Sequence, residues 1–567
     1  MPGQDGRLVL EHGGGADECG AAQQDAGVVV LAQLAQATSA PTMPDLGRAP
    51  DLAQPMESQR KPGAPTRRVG SALASMYQLL RSPWPLPVIL LAQALLSARL
   101  FWSNTAFQDE SLYLWAGHLE LAHLMHGSAV PPFQTYFSGS PAIYPPLAAL
   151  ADSAGGLIAA RLLSLAFMLT TTALLYFTAK RLFSRGPALA AAALFAAFGM
   201  ADQLGAFATY DAMALCLLAL AAWLVVMARG RLTEPLLIAA AISLAAADAT
   251  KYATVLWNPV VIALAVLAIP TEPRLKRCLN GVRLASYTLL LDAVAIREGG
   301  ASYLRGIEFT TLNRKIVTGT SPLKILDIAW GWLALLLLLG FLGLLLLWLD
   351  NSRPNLLPIV LFAALLLAPA EQARISDITS LHKHVVFGAW FACIVAGYAI
   401  TKISQLDGQL SHGVIIGFVL IAVVAVTGFS QASSVTRSWP SVSHAMPALN
   451  RAIHRGGCPC LIMQETAADY YLPAKDLTGP IIGPYTFSYR SAANWQPLSG
   501  TPGIVAAISN GYFGAVEIDA SRGRATYREV IASLRDSRQY QLVRKQSWSL
   551  HPGEPTEVWE RLGGSGL

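Results

Sequence analysis

The run Ala329 to Leu349, AWGWLALLLLLGFLGLLLLWL, carries no charged residue along its whole length. About 20 consecutive apolar residues carry a helix through the hydrocarbon of a bilayer. Lipid offers backbone N–H and C=O groups no partners, so a run of this kind crosses as a helix that satisfies its own backbone. It is one of a series. We place spans at 83–101, 157–179, 186–202, 212–228, 235–250, 252–269, 283–296, 326–349, 355–370, 384–401 and 413–430. The chain is 53% hydrophobic and 13% charged, where a soluble domain carries about 25% charged residues. The pattern predicts an all-α polytopic membrane bundle of about 11 transmembrane helices, over residues 76–430. The net charge of +6 implies no nucleic-acid partner, because Lys and Arg gather at the ends of the apolar runs.

That gathering sets an expected orientation. Arg67, Arg68 and Arg81 precede the first run, Lys180, Arg181 and Arg185 follow the second, and Arg229 and Arg231 follow the fourth. Arg274, Lys276, Arg277 and Arg283 lie between the sixth and seventh, Arg353 precedes the ninth, and Lys402 follows the tenth. All share one side if the N-terminus is cytoplasmic, in a multi-pass protein of the plasma membrane. The C-terminus and the loop 102–156 are then extracytoplasmic.

Residues 1–75 are rich in Gly, Ala, Pro and Gln without periodicity, which predicts a disordered cytoplasmic tail. No secretory signal arrangement precedes the first long apolar run near Pro83. Residues 431–567 alternate strand-like pieces (Cys460 to Met463, Gly514 to Ile518, Tyr540 to Val543) with a helical stretch from Tyr527 to Leu534. These predict a small extracytoplasmic α/β domain. The six cysteines lack zinc-type spacing and read as small apolar residues. The pair Cys458 and Cys460 is too close for an ordinary disulfide framework and stays open.

Several charges interrupt this apolar chain. Asp109 and Glu110 open a helix expected to run to His126 and end at Gly127. Asp109, Tyr113, Gly117, Glu120 and His123 recur at three and four residues, as in an amphipathic helix lying in the membrane interface. Asp109 suits a helix N-cap, and adjacent carboxylates also suit a general base or a cation site. Asp211, at the start of the fourth span, reads as an N-cap or as a functional acid. Lys251 interrupts an apolar stretch, either as a hinge residue reaching to the surface or as a cation for a phosphate. His382, Lys383 and His384 form a basic group at one span end, fit for headgroup anchoring or for a lipid-linked phosphate. Arg305, Arg314 and Lys315 form another. His118, His123 and His126 lack a defined ligand spacing, so no metal site is assigned.

In order along the chain, these segments resemble the type-C (GT-C fold) membrane glycosyltransferases, and most nearly the protein O-mannosyltransferase and bacterial aminoarabinose transferase group. The resemblance rests on Asp109-Glu110 followed by Tyr113, then Tyr144-Pro145-Pro146-Leu147. It continues through Ala160-Arg161-Leu162-Leu163-Ser164 and a span ending Ala179-Lys180-Arg181-Leu182-Phe183, then Asp211, then Thr250-Lys251-Tyr252. It covers about 84–270, with looser support to about 400.

The resemblance implies a polyprenyl-phosphate-linked sugar as donor and an extracytoplasmic glycan, protein or lipid acceptor, with inversion. By it, Asp109 is the base, with Glu110 and Asp211 orienting substrates. Tyr113, Lys251, Arg314, His382, Lys383 and His384 are candidates for binding substrate, the cations steadying the departing phosphate. His382 and His384 depart from the group's more usual basic-aromatic pattern. Metal dependence varies across the group, so a divalent cation stays open. Two rivals are a secondary transporter coupled through Asp211, Lys251 and Asp292, and an inactive cell-envelope scaffold.

Overall fold

The computed structural model describes residues 85–312, 319–350, 356–405, 410–442, 444–472, 480–484, 487–490, 496–548 and 551–563. The tail 1–75, Arg314 and Lys315 lie outside them. The N-terminal part is a helical bundle: α1 (Pro85–Ala98), α2 (Gln108–His126), α3 (Tyr144–Leu182), α4 (Arg185–Ala197), α5 (Gly199–Gly205), α6 (Tyr210–Met227) and α7 (Thr233–Thr250). It continues with α8 (Asn258–Leu267), α9 (Arg274–Ile307), α10 (Pro322–Asp350), α11 (Leu356–Ala363), α12 (Leu367–Ile375), α13 (Leu381–Ile403) and α14 (Leu410–Thr436).

Among the described residues, eight helices are long and apolar enough to cross a membrane, or nine if the α4–α5 pair, bent by 69°, is one span. The shorter apolar helices Pro85–Ala98 and Tyr252–Leu267 stand where two further spans were expected. The span expected over 283–296 belongs to a longer helix, Arg274 to Leu312, whose first turn carries Arg274, Lys276 and Arg277. Helix α3 begins at Tyr144, inside the expected loop 102–156. Pro145 and Pro146 suit its first turn, where backbone N–H groups have no intrahelical partner. Non-helical Gly155 and Gly156 then divide it.

α13 is the buried axis of the bundle. Phe387, Trp390 and Phe391 are fully buried on it, and the Trp390 indole N–H donates to Thr171 O at 3.1 Å. That bond leaves no polar atom of the ring unsatisfied in an apolar core. Because α13 is clasped on all sides, its first turn is held at a fixed place, and this turn carries Lys383.

The C-terminal part comprises α15 (Ala445–Gly456), β1 (Cys460–Ile462), α16 (Glu465–Tyr471), β2 (Ile481–Ile482), β3 (Ser488–Tyr489), β4 (Leu498–Ser499), α17 (Gly500–Ser509), β5 (Ala515–Ile518), α18 (Arg524–Asp536), β6 (Tyr540–Trp548) and β7 (His551–Arg561). Five strands form one sheet in the order β2-β1-β5-β7-β6. β1 runs parallel to β2 and β5, with Leu461 opposite Ile482 and Val516. β7 is antiparallel to β5 and β6. All of β1 and β5 is buried, as a central sheet position requires, and in β5 this includes Glu517. Cys458 and Cys460 are disulfide-bonded: their Cα atoms lie 4.7 Å apart, within bridging range, so the tightness expected from spacing is no bar.

Candidate active site

Asp109 and Asp211 are not N-caps. Phe107 caps α2 and Thr209 caps α6, so each Asp stands inside a first turn and its carboxylate is released from capping. Both are buried, and so are Lys251 and Lys383. The four charges meet. Lys383 Nζ donates to Asp109 Oδ2 and stands 3.8 Å from Asp211 Oδ2, while Lys251 Nζ lies 2.6 Å from Asp211 Oδ1. They come from four separate elements: α2, α6, the break after α7, and α13. In so dry a setting opposite charges must pair, since each ion alone costs several kcal/mol of lost hydration.

Lys251 does not reach to the surface. It sits in extended backbone between α7 and the 3-10 turn Tyr252–Trp257. The loop 138–140 holds it there: Ser140 N–H donates to Ala249 O at 2.8 Å, and Tyr252 N–H donates to Ser138 O at 3.1 Å. Gly139 permits this approach, because a Cβ there would meet Thr250 O at 2.2 Å. The Lys251 ammonium also lies 4.8 Å from the centre of the Tyr210 ring. Tyr210 packs on Tyr113 with ring centres 4.6 Å apart, and Tyr113 meets Phe137 edge-on at 4.9 Å. These rings make an aromatic wall beside the charges.

Glu110 is tied down differently. Arg161 grips it with two bonds, Nε to Oε1 at 2.8 Å and Nη2 to Oε2 at 2.7 Å. Phe107 N–H donates to Oε2 at 2.8 Å, and Ala208 N–H to Oε1 at 2.9 Å. The Arg161 fork also donates to the carbonyls of Phe101, Asn104 and Thr105. Glu110 and Arg161 thus pin the start of α2 to α3 and to the segment before α6. Sequence reading quoted Arg161 without giving it a role. Its signal was an arginine inside an apolar helix, which burial requires to be paired.

The basic group at α13 splits by helical geometry. Lys383 enters the charge cluster as an ion-pair partner. His384 Nδ1 pairs with Gln372 Nε2 at 2.9 Å, and His382 is buried with its ring 6.5 Å from that of Trp332. Arg305 is exposed. The expected interface helix also differs: Asp109, Tyr113, Gly117 and Glu120 face protein, while Leu124 and Met125 are exposed. Packing against α3 overrides the amphipathic pattern. The helix ends at Gly127 in the left-handed conformation. His118 pairs with Asp152 at 2.7 Å. Among the described residues, no three or more His, Cys, Asp or Glu side chains gather as a metal site.

The C-terminal part reaches the site. Thr466 Oγ1 on α16 donates to Gln108 O at 3.3 Å, next to Asp109. Tyr470 OH donates to Asp152 Oδ1 at 2.7 Å, and Ala106 N–H donates to Tyr471 OH at 2.8 Å. Glu465 and Asp469 lie one turn apart on α16, and burial lifts each to about 7, Asp469 helped by the charge of Glu465. Nothing in the sequence of α16 marks it, because contacts across more than 300 positions leave no local pattern.

Residues 147–295 match the family described as dolichyl-phosphate-mannose-protein mannosyltransferase. No curated protein sequence matches the chain. Among solved structures, the chain is similar to ArnT from Cupriavidus metallidurans bound to undecaprenyl phosphate. The two share 15% identity and a TM-score of 0.51, over 86% of this chain and all (100%) of that one. It is also similar to the archaeal oligosaccharyltransferase AglB from Archaeoglobus fulgidus, in complex with an inhibitory peptide and a dolichol-phosphate. There the identity is 12% and the TM-score 0.52, over 84% of this chain and 74% of that one. The fold is therefore that of the type-C glycosyltransferases, as the sequence resemblance implies, in a multi-pass membrane protein.

Proposed function

We propose that this protein is a membrane glycosyltransferase that moves a sugar from a polyprenyl-phosphate donor to an acceptor hydroxyl on the extracytoplasmic side. The observation that carries the reading is the buried meeting of Asp109, Asp211, Lys251 and Lys383 from four elements beside an aromatic wall. The named neighbours add to it, one bound to undecaprenyl phosphate and one to a dolichol-phosphate.

In this mechanism Asp109 accepts the acceptor's hydroxyl proton. The acceptor oxygen attacks the anomeric carbon from the face opposite the phosphate, the bond from that carbon to the phosphate oxygen breaks, and the configuration inverts. The departing polyprenyl phosphate gains a negative charge, which Lys383 and Lys251 steady. Asp211 holds Lys251 in place. Glu110, with every contact direction occupied, positions Asp109 through the first turn of α2. Tyr113 and Tyr210, packed on one another beside the charges, form the wall against which the sugar ring lies. The first loop, 102–156, is the catalytic loop, and the C-terminal part, 431–567, closes over it from the acceptor side.

The test is sugar release from a panel of radiolabelled polyprenyl-phosphate sugars, in membranes carrying wild type or Asp109→Asn. Wild-type release that collapses in the variant at equal expression supports the reading. Equal release in both removes Asp109 from the mechanism, and no release from any donor turns the reading toward a transporter or a scaffold.

A further inference from the structure

Lys383 holds Asp109 in the structure, yet the proposed reaction needs Asp109 as a base and a cation on the phosphate. One Asp109 oxygen is thus occupied by the ammonium where the acceptor's proton has to arrive. We propose that Lys383 is a shuttling cation: it holds Asp109 in the resting enzyme and transfers to the donor phosphate, freeing the base only once donor is bound. The inference rests on the glycosyltransferase reading above.

The charge balance supports it. Asp109, Asp211, Lys251 and Lys383 are all buried and their formal charges sum to zero. A polyprenyl-phosphate sugar is a phosphodiester with one negative charge. When the acceptor's proton moves to Asp109, that carboxylate becomes neutral, and the leaving phosphate, now a monoester, carries two negative charges. Acceptor hydroxyl, donor and Asp109 carboxylate become glycoside, polyprenyl phosphate dianion and Asp109 carboxylic acid. The buried total is one negative charge before and after. The imbalance is local: donor binding brings a phosphate charge without a cation of its own, and the reaction leaves Lys383 without a carboxylate partner. Moving one flexible ammonium corrects both, with no change in the charge sealed from water.

Geometry selects Lys383 over Lys251. Lys251 is paired with Asp211 at 2.6 Å and makes no ion pair with Asp109 among the described residues. Among the described residues, Lys383 is the ion-pair partner of Asp109, and it already reaches toward Asp211 at 3.8 Å. When Lys383 leaves, Asp211 keeps Lys251, so only Asp109 is uncovered. Asp109 and the phosphate are therefore competing partners for one cation.

Competition gives a test that needs no turnover. Binding of a polyprenyl phosphate is measured in nanodiscs for wild type, Asp109→Asn, Lys383→Met and the double variant. Asp109→Asn frees Lys383 and is expected to tighten binding about tenfold, a change of about 1.4 kcal/mol. Lys383→Met is expected to weaken binding, and in its background Asp109→Asn is expected to have no further effect. Equal or weaker binding by Asp109→Asn overturns the shuttle. So does tightening that persists without Lys383, which would reflect only the removal of a negative charge. A wild type that binds no polyprenyl phosphate overturns the glycosyltransferase reading itself. Infrared difference spectra of wild type alone guard against variants that fail to fold: saturating ligand should shift a carboxylate stretching band, and unchanged carboxylate bands overturn the proposal.

Discussion

Arg161→Met removes the clamp at the start of α2. The guanidinium is 1% exposed and donates twice to Glu110 and to the carbonyls of Phe101, Asn104 and Thr105. Without it, Glu110 stays buried, with the N–H groups of Phe107 and Ala208 as its remaining partners. Breaking one side of a buried ion pair costs about 3–5 kcal/mol. The orphaned carbonyls add to this, so about 3 kcal/mol is the floor. At about 1.4 kcal/mol per factor of ten, amide protection over residues 99–112 should fall at least 100-fold. Hydrogen exchange read by mass spectrometry measures it. The double variant Glu110→Gln, Arg161→Met removes both charges and should recover much of the loss. Protection within threefold of wild type in Arg161→Met, or a double variant worse than either single one, would refute the idea that this pair anchors α2.

Lys251→Met should lower sugar transfer at least about 100-fold, the scale of losing one preorganised charge, with single-turnover release as the readout. Gly139→Ala forces its Cβ against Thr250 O, within 2.2 Å, and must push the Lys251 segment away. It should weaken polyprenyl phosphate binding while leaving expression intact, and unchanged affinity would show that this approach does not position Lys251. Burial lifts Glu465 and Asp469 to about 7, so the docked helix α16 holds protons that an undocked one releases. The contact with α2 should therefore be tightest below the ordinary carboxylate range and loosen as pH rises toward 7. Intrinsic-rate-corrected exchange over 465–471 should show it, and Glu465→Gln with Asp469→Asn should abolish the dependence.

The apolar runs were legible because lipid leaves a spanning chain few choices, and each expected span has a helix at its place. Their ends were not. Tyr144 starts α3 well before the apolar stretch, since packing against α2, rather than lipid, covers its first turns. Asp109, Asp211, Lys251 and Lys383 stood out singly as charges among apolar residues, but nothing local says that they touch. Asp109 and Lys383 are 274 positions apart. Arg161 was harder to read still, because burial and solvent reach are equally compatible with one arginine in a helix until its partner is known. Helix α16 carries ordinary surface residues by composition and gains significance only by where the sheet puts it.

The same separation bears on how the protein is made. Asp109 leaves the ribosome long before Lys383 exists, and Asp211 precedes Lys251 by only 40 positions. During synthesis one acid soon acquires its counterion and the other has none. The early loop is therefore expected to stay open to water until α13 is in place, and only then to settle into the bundle. A nascent chain halted before residue 381 should keep Asp109 open to aqueous reagents, and one released after 403 should not. The last charge to arrive closes the site, so assembly of the whole bundle is recorded in the burial of a single carboxylate.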